Sequence, residues 1–373
     1  MKVLCIAFDS NELSIRLASA LAKEVEVCLM LPEEGAKFHL HWLSPDVNFQ
    51  PFPKPRLRQP AKQISLMFKL IKRIKQFDPD VIHFQKGHLW FNLALTFLRR
   101  YPLVMAIHDP RHHMGDKGAY NQPQPIMDYA YRRANRVIAH NEPMKQIIVE
   151  ELGIPEQIID IVPLIERGNA NAQTEVQEQT NEILFFGRIW AYKGLEYLIR
   201  AEPLITAQIP DAKIVIAGKG DDFSSYRRMM VNPENFIVHN EFVSYEKRAK
   251  LFRRASIVVL PYVEATQSGV IPVAYTFAKP VIATEVGGLP SQVEHGRTGF
   301  LVPPCDEKAL ADSIIQLLQD NDLRRQLGAN GKHKLETEWS AEAVAKKTIP
   351  VYRKAINDAR SGSAKQKVRQ ATG

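Results

Sequence analysis

The second half of the sequence alternates short apolar segments with helical patterns, and this alternation limits the folds that the chain can adopt. Apolar runs of strand length occur at 183–186 (ILFF), 213–217 (KIVIA), 256–262 (SIVVLPY) and 280–284 (PVIAT). The segments between them have the periodicity of helices. Because parallel strands need a crossover connection that is usually helical, the pattern predicts a parallel sheet with helices on both faces.

The first half begins with the same arrangement. Residues 2–8 (KVLCIAF) and 25–31 (VEVCLML) have the composition of buried strands, and residues 13–24 between them have the pattern of a helix. A strand, a helix and a strand in this order open a doubly wound α/β domain. The chain is therefore predicted to contain two such domains.

Changes in composition divide the chain into five segments. The tract from 166 to 181 is polar and lacks an apolar pattern, as is typical of linkers between domains. We predict a first domain at 1–165, the linker at 166–181, a second domain at 182–345, a helix at 346–357 that crosses back to the first domain, and a disordered basic tail at 358–373.

Length, charge and cysteine content restrict the class of protein. The chain has 373 residues and a formal net charge of +8, but no nucleic-acid-binding motif, so we expect anionic ligands and no nucleic acid. Cys5, Cys28 and Cys305 are far apart, which argues against a disulfide framework or a zinc site. No apolar run approaches the roughly 18 residues of a membrane span. We therefore expect a cytoplasmic protein with at most peripheral membrane contact.

Two loops carry the residues that we predict to bind a ligand. In the first, the strand ILFF ends before Gly187, and a loop with Arg188 and Lys193 leads into a helix. In the second, Glu264 follows the strand SIVVLPY. Ligands of open parallel sheets bind beyond the carboxyl ends of the strands. The two cations are therefore expected to meet an anionic ligand in one crevice.

A small polar turn follows Glu264. It contains Gln267, Ser268 and Gly269, and the residues after it have a helical pattern. Because amides at the start of a helix point towards the preceding strand end, the amides of Ser268 and Gly269 are predicted to bind phosphate oxygens, with Gln267 as a further donor.

Four motifs resemble those of the retaining glycosyltransferases of family 4. They are GRIWAYKGLEYL, KIVIAGKG, FVSYEK and KPVIATEVGGLP, all in the second half of the chain. The resemblance implies the GT-B fold, in which two Rossmann-like α/β domains face a central cleft. It also implies a nucleotide-diphosphate sugar as donor, a saccharide or lipid-linked acceptor, and no metal or other cofactor.

The resemblance implies roles for single residues. The backbone of Phe242 and Val243 would contact the base of the nucleotide, and Glu264 would contact the hydroxyls of the sugar. His108, which follows the apolar run LVMAI, would correspond to a histidine between the domains near the transferred sugar. A hydrogen-bonded structural histidine is the alternative for His108.

Three positions depart from the family pattern. A second glutamate is usual after Glu264, but Pro272 and Val273 occupy its region, and Ser291 replaces an acidic residue. Residues 9–11 (DSN) replace a glycine pair, so we assign them no role. These departures leave two alternatives open: another GT-B enzyme such as a nucleotide-sugar epimerase, or a basic protein that binds anionic surfaces and has a degenerate site.

Two groups of residues have the composition of metal sites. The triplet 78–80 (DPD) lies between a helical pattern and a strand, where aspartate and proline are common turn residues. His112, His113 and Asp116 lie in one loop without the i, i+4 spacing of helical zinc sites. We therefore predict no metal site.

The segment 54–75 is the most basic part of the chain and contains no acidic residue. Its second half extends into a helical pattern, 63–77, whose apolar residues, including Ile64, are predicted to pack on the sheet. The alternative is a helix at a membrane surface. If the acceptor is lipid-linked, the predicted contact with an anionic membrane arises from the positive charges alone.

Overall fold

The structure is a computed structural model that describes residues 1–108, 110, 123–165, 176–220 and 222–371, with side chains described through residue 361. The described residues form two compact units. The first contains 1–108, 110, 123–165 and 339–371, and the second contains 176–220 and 222–338.

The strands of the first unit form a parallel sheet. They are β1 (Lys2–Ala7), β2 (Glu26–Pro32), β3 (Val47–Phe52), β4 (Val81–Gln85), β5 (Leu103–Ala106), β6 (Arg136–Ala139) and β7 (Ile159–Ile161). Their order among the described residues is β3-β2-β1-β4-β5-β6-β7. Alternate residues of β1 enter two different clusters, since Leu4 and Ile6 pack on one face of the sheet and Val3 and Cys5 on the other.

Helices cover both faces of this sheet. They are α1 (Asn11–Leu21), α2 (Glu33–Ala36), α3 (Pro60–Phe77), α4 (Leu89–Ala94), α5 (Gln124–Arg133) and α6 (Glu142–Leu152), and a 3-10 turn, Leu95–Leu98, extends α4. Residues of α3, α4, α5 and α6 enter the cluster of Leu4, whereas residues of α1 enter the cluster of Val3. The amphipathic pattern of each helix thus selects the face on which it packs.

The second unit repeats this arrangement with β8 (Glu182–Phe186), β9 (Lys213–Ala217), β10 (Phe236–His239), β11 (Ile257–Leu260), β12 (Val281–Thr284) and β13 (Gly299–Val302). Its helices are α7 (Leu195–Thr206), α8 (Ser224–Met229), α9 (Tyr245–Arg254), α10 (Val270–Thr276), α11 (Leu289–Gln292), α12 (Glu307–Gln319) and α13 (Asn321–Glu338). The described strands are parallel, in the order β10-β9-β8-β11-β12-β13. The predicted α/β class with two doubly wound sheets is confirmed.

In each sheet the strand order reverses direction at one point. This point lies between β1 and β4 in the first unit and between β8 and β11 in the second. Loops that leave the carboxyl ends of these strand pairs diverge to opposite faces and open a crevice, which is where open α/β sheets bind ligands.

The last helix, α14 (Ala341–Ala371), belongs to the first unit. Its side chains Val344, Ile349 and Tyr352 pack in the cluster of α1. The helix begins five residues before the predicted crossing helix, and it continues to Ala371, within the segment predicted to be a disordered tail. That segment is rich in alanine, lysine, glutamine and arginine, which all favour helices.

The predicted linker is partly described. Residues 166–175 lie outside the described part, but Glu178 forms ion pairs with Lys279 and Arg324 in the second unit. The end of the linker is therefore attached to that unit. Among the described helices, none combines the length and the hydrophobicity that a membrane span requires.

Candidate active site

The two predicted ligand loops follow neighbouring strands of the second sheet. Gly187 and Arg188 follow the end of β8, and the loop with Glu264 follows the end of β11. β8 and β11 pair directly, with Ile183 opposite Ile257. The loops therefore leave the sheet side by side at the point where the strand order reverses.

The two loops are also bonded to each other. The amide of Val263 donates a hydrogen bond of 2.9 Å to the carbonyl of Tyr192. The buried rings of Tyr192 and Tyr262 meet edge to face, with 6.3 Å between their centroids. Tyr192 belongs to the 3-10 turn Ala191–Lys193, so the turn that presents Lys193 is held against the loop that carries Glu264.

Both predicted cations rest on aromatic rings. The Lys193 ammonium lies 3.7 Å from the ring centroid of Tyr262, and the guanidinium carbon of Arg188 lies 3.8 Å from that of Trp190. Burial raises the pKa of Tyr262 above its usual value, so its phenol stays neutral near pH 7. The rings hold the two cations by cation–π attraction without neutralising them.

The polar turn before α10 is built differently from the prediction. The amide of Ser268 donates to Oε1 of Gln292 at 2.7 Å, and Nε2 of Gln292 donates to the carbonyl of Ser268 at 3.0 Å. The buried Ser268 hydroxyl in turn accepts from the amide of Val270 at 3.2 Å. The predicted phosphate donor at Ser268 is thus used inside the protein, while Gln267 and Gly269 lie beside it in the same turn.

Comparison with known proteins identifies the family. Residues 13–164 match the model of "Glycosyltransferase Family 4", and residues 180–320 match that of "Glycosyl transferases group 1". This chain belongs to the family 4 glycosyltransferases. An uncharacterized glycosyltransferase of Methanocaldococcus jannaschii is 28% identical over 299 residues, which are 74% of this chain and 76% of that protein.

Solved structures agree with this assignment at the level of the fold. Sucrose-phosphate synthase of Thermosynechococcus elongatus superimposes with a TM-score of 0.71 at 19% identity, covering 95% of this chain and 98% of its own. The Anabaena HepE protein, solved in complex with UDP-glucose, gives a TM-score of 0.68 at 18% identity, covering 94% and 98%. The GT-B prediction is confirmed, and membership of the family favours a transferase over the epimerase and the non-enzymatic protein.

The residues predicted to contact the base follow another strand of the glycosyltransferase. Phe242 and Val243 are in the loop between β10 and α9, and β9 separates β10 from β8. Phe242 is 82% exposed. An exposed ring at this edge has no packing role, and its predicted contact with the donor stays a prediction.

His108 belongs to the first unit. It is buried after β5, and its Nε2 lies 3.0 Å from Oε1 of Gln85 at the end of β4. Its ring centroid is 4.8 Å from that of His140, which follows β6. His108 is therefore held at the carboxyl edge of the first sheet by neighbours from two other strands, and its predicted role stays a prediction.

The two groups with the composition of metal sites have different outcomes. Asp78 ends α3 and accepts from Tyr101 and Arg100, and Asp80 accepts from the amide of Lys2. The hydrogen bond from Tyr101, followed by that from Arg100, lowers the pKa of Asp78. Both carboxylates thus hold the turn together. Residues 112, 113 and 116 lie outside the described part, and within that part no cluster of three or more potential ligands is present.

The sequence analysis missed one group of residues at the carboxyl edge of the first sheet. The imidazole of His88 stacks on Phe8 at 3.8 Å, and Lys54 donates to the carbonyl of Phe8. Burial, and then the charge of Lys54, lower the pKa of His88 to about 3. Lys86 has a left-handed backbone (φ 59°) and lies 3.5 Å from Asp9. The sequence signals this group only in that each polar residue follows a strand.

Proposed function

We propose that the enzyme transfers a hexosyl group, with retention, from a nucleotide-diphosphate sugar to a saccharide or lipid-linked acceptor. The observation that carries this proposal is the pair of cations at the β8–β11 edge. Arg188 and Lys193 rest on neutral rings beside the loop of Glu264. The solved complex of HepE with UDP-glucose supports the same class of donor.

The two cations act on the leaving group. When the bond between the sugar and the diphosphate breaks, negative charge accumulates on the departing oxygen. Arg188 and Lys193 stabilise that charge, and charge-assisted hydrogen bonds of this kind contribute about 1.5 to 3 kcal/mol each. The amide of Gly269 and the side chain of Gln267 add donors to the diphosphate, and Glu264 accepts hydrogen bonds from the sugar hydroxyls.

Retention follows from attack on the face that the nucleotide leaves. The acceptor oxygen forms a bond to the anomeric carbon as the bond to the diphosphate breaks, through a transition state with oxocarbenium character. The acceptor proton passes to the departing diphosphate, so no protein nucleophile takes part. We assign His108 to the sugar side of this reaction, and the carboxyl edge of the first sheet, with His88 and Lys86, to the acceptor.

A screen of donors tests the proposal. A ligand at 100 times its dissociation constant stabilises a protein by about 2.7 kcal/mol, which corresponds to roughly 5 to 10 °C in melting temperature for a domain of this size. We expect one of UDP-, GDP- and ADP-sugars to give such a shift, and NMR of the product to show the donor's anomeric configuration. The absence of any shift, or an inverted product, would reject the proposal.

We further propose that transfer requires no metal ion. Two cations at the strand edge already offset the charge of a diphosphate, so a divalent ion has no necessary task there. Excess EDTA is expected to leave the initial rate unchanged in an assay with the donor identified above. Loss of activity that magnesium or manganese restores would contradict this, and variants of Asp78, Asp80 and the loop at 112–116 would then locate the ligands.

A further inference from the structure

The outer side of α3 carries apolar residues that the protein does not cover. Its buried face contains Leu66, Leu70 and Ile74, whereas Phe68 is 67% exposed and Ile64 is 47% exposed. Ile64 was predicted to pack on the sheet, and this prediction is wrong. At about 100° per residue, Ile64 lies roughly a third of a turn from Leu70 at the centre of the buried face, and Phe68 lies still farther around the helix.

The neighbouring helix has the same property. Leu93 in α4 is 48% exposed, and Phe97 in the 3-10 turn that follows is 64% exposed. The buried residues of α3, α4 and the turn belong to one core cluster, and α3 contacts α4. The exposed residues of both elements therefore lie on the outer side of one helical layer.

α3 also supplies positive charge to this side of the layer. α3 contains five cations, and neither α3 nor the segment 89–98 contains an acidic residue. The cations are Lys62, Lys69, Lys72, Arg73 and Lys75. Lys69 and Lys72 are exposed on α3 itself. Glu33 and Glu34 of α2 line one cavity with Lys62 and Lys69, so carboxylates are present at that edge of α3. The exposed rings and the remaining lysines still match the interface of an anionic bilayer, where rings enter the acyl boundary and ammonium groups meet the headgroups.

We propose that the first unit docks on an anionic lipid bilayer through this surface, which we define as the exposed side of α3, α4 and the turn Leu95–Leu98. Phe68 and Phe97 insert into the headgroup boundary, and the lysines of α3 bind the anionic headgroups. This replaces the prediction that the charges of 54–75 act alone. The inference does not rest on the donor site, because binding to lipid is measured without any sugar nucleotide.

Co-sedimentation with vesicles tests this proposal. The full chain is expected to sediment with phosphatidylglycerol-containing vesicles, but not with pure phosphatidylcholine, and part of this binding is expected to persist in 0.5 M salt, roughly the level at which exposed charges are screened within a few ångströms. The double variant Phe68→Ser, Phe97→Ser should bind the vesicles at least about tenfold more weakly and lose the binding that persists in high salt. Lys69→Glu with Lys72→Glu should weaken binding at low salt by about fivefold or more per charge.

Phe38→Ser is the matched control. Phe38 is 59% exposed in the first unit, but it precedes the 3-10 turn Leu40–Trp42, which contacts α1, and it lies outside the surface defined above. This variant is expected to bind as the parent does. Because all three phenylalanines are exposed, the melting temperatures of the variants should match that of the parent, which separates lost binding from lost folding.

Three results would overturn the proposal. The first is absence of sedimentation with anionic vesicles at low salt. The second is binding that the substitutions at Phe68 and Phe97 leave unchanged. The third is a concentration-dependent dimer in analytical ultracentrifugation that Phe68→Ser dissociates, without binding to vesicles, since the surface would then serve a second copy of the chain.

Discussion

Lys193→Ala and Arg188→Ala are each expected to reduce the rate of transfer by about a hundred- to a thousandfold, the usual cost of removing a group that stabilises developing charge. Lys193 lies over Tyr262 and Arg188 over Trp190, at the edge shared by β8 and β11. These rings are uncharged and therefore do not neutralise either cation. The measurement is steady-state kinetics with the donor found in the thermal-shift screen.

The form of the kinetic loss distinguishes two roles. Removing a cation that binds the ground state and the transition state equally raises KM and leaves kcat unchanged, whereas removing one that stabilises the departing diphosphate lowers kcat as well. Because charge on the leaving oxygen increases in the transition state, we expect kcat to fall in both variants. Loss of the cation–π contact itself costs only about 0.5 to 2 kcal/mol, so both variants should still fold.

Arg200→Ala is a suitable control for these variants. Arg200 is an exposed cation on α7, the helix that follows the loop of Lys193, and it does not belong to the proposed site. Its removal changes the net charge by the same amount and should leave kcat within a factor of two, as roughly expected for a surface substitution. Near-normal turnover in both Lys193→Ala and Arg188→Ala would reject the site.

The pattern of strands and helices was sufficient to predict the sheets and the neighbouring positions of the two ligand loops. Arg188 and Glu264 could be assigned to one edge because each follows an apolar run, and parallel strands end at the same side of a sheet. The differences between the predictions and the structure concern contacts that no local sequence pattern encodes. The partner of the Ser268 amide is Gln292, which lies 24 residues away in sequence.

The exposure of α3 shows the same limit. Apolar periodicity predicted a packed face, and Leu66, Leu70 and Ile74 are buried as such a pattern requires. Ile64 is apolar as well, but it lies outside the stripe of α3 that packs on the sheet. The position of the sheet beneath the helix determines which residues form that stripe. The cluster of His88, Lys54 and Phe8 was missed for a related reason, because its members come from separate strand ends.

Gly194→Ala is expected to destabilise the second unit by about 3 kcal/mol or more, and to lower transfer even where the protein remains folded. Gly194 has a left-handed backbone (φ 61°), and a Cβ atom there would lie 1.9 Å from the carbonyl oxygen of Pro261. Since the two nearest atoms, the carbonyl oxygen and carbon of Pro261, belong to the backbone, no rotamer change can relieve the contact. Either the turn with Lys193 or the end of β11 must move.

Any such movement acts on the proposed site. The turn and the loop after β11 are joined by the hydrogen bond from the Val263 amide to the Tyr192 carbonyl. Separating them lifts Lys193 from the ring of Tyr262, from which it is now 3.7 Å away. The melting temperature measures the loss of stability. The rate of transfer at 15 °C measures the effect on the site, because this temperature is well below the roughly 45 to 65 °C at which mesophilic domains unfold.

Gly296→Ala provides the control that separates backbone strain from collision. Gly296 also has a left-handed backbone (φ 72°), but an added Cβ would have no neighbour within 4 Å. This variant therefore incurs only the left-handed strain of about 1 to 2 kcal/mol, and its rate should equal that of the parent. Two results would contradict this: equal melting temperatures for the two glycine variants, or transfer by Gly194→Ala at the parental rate. In either case the contact between the loops does not position Lys193, and the two cations must be held by Tyr262 and Trp190 alone.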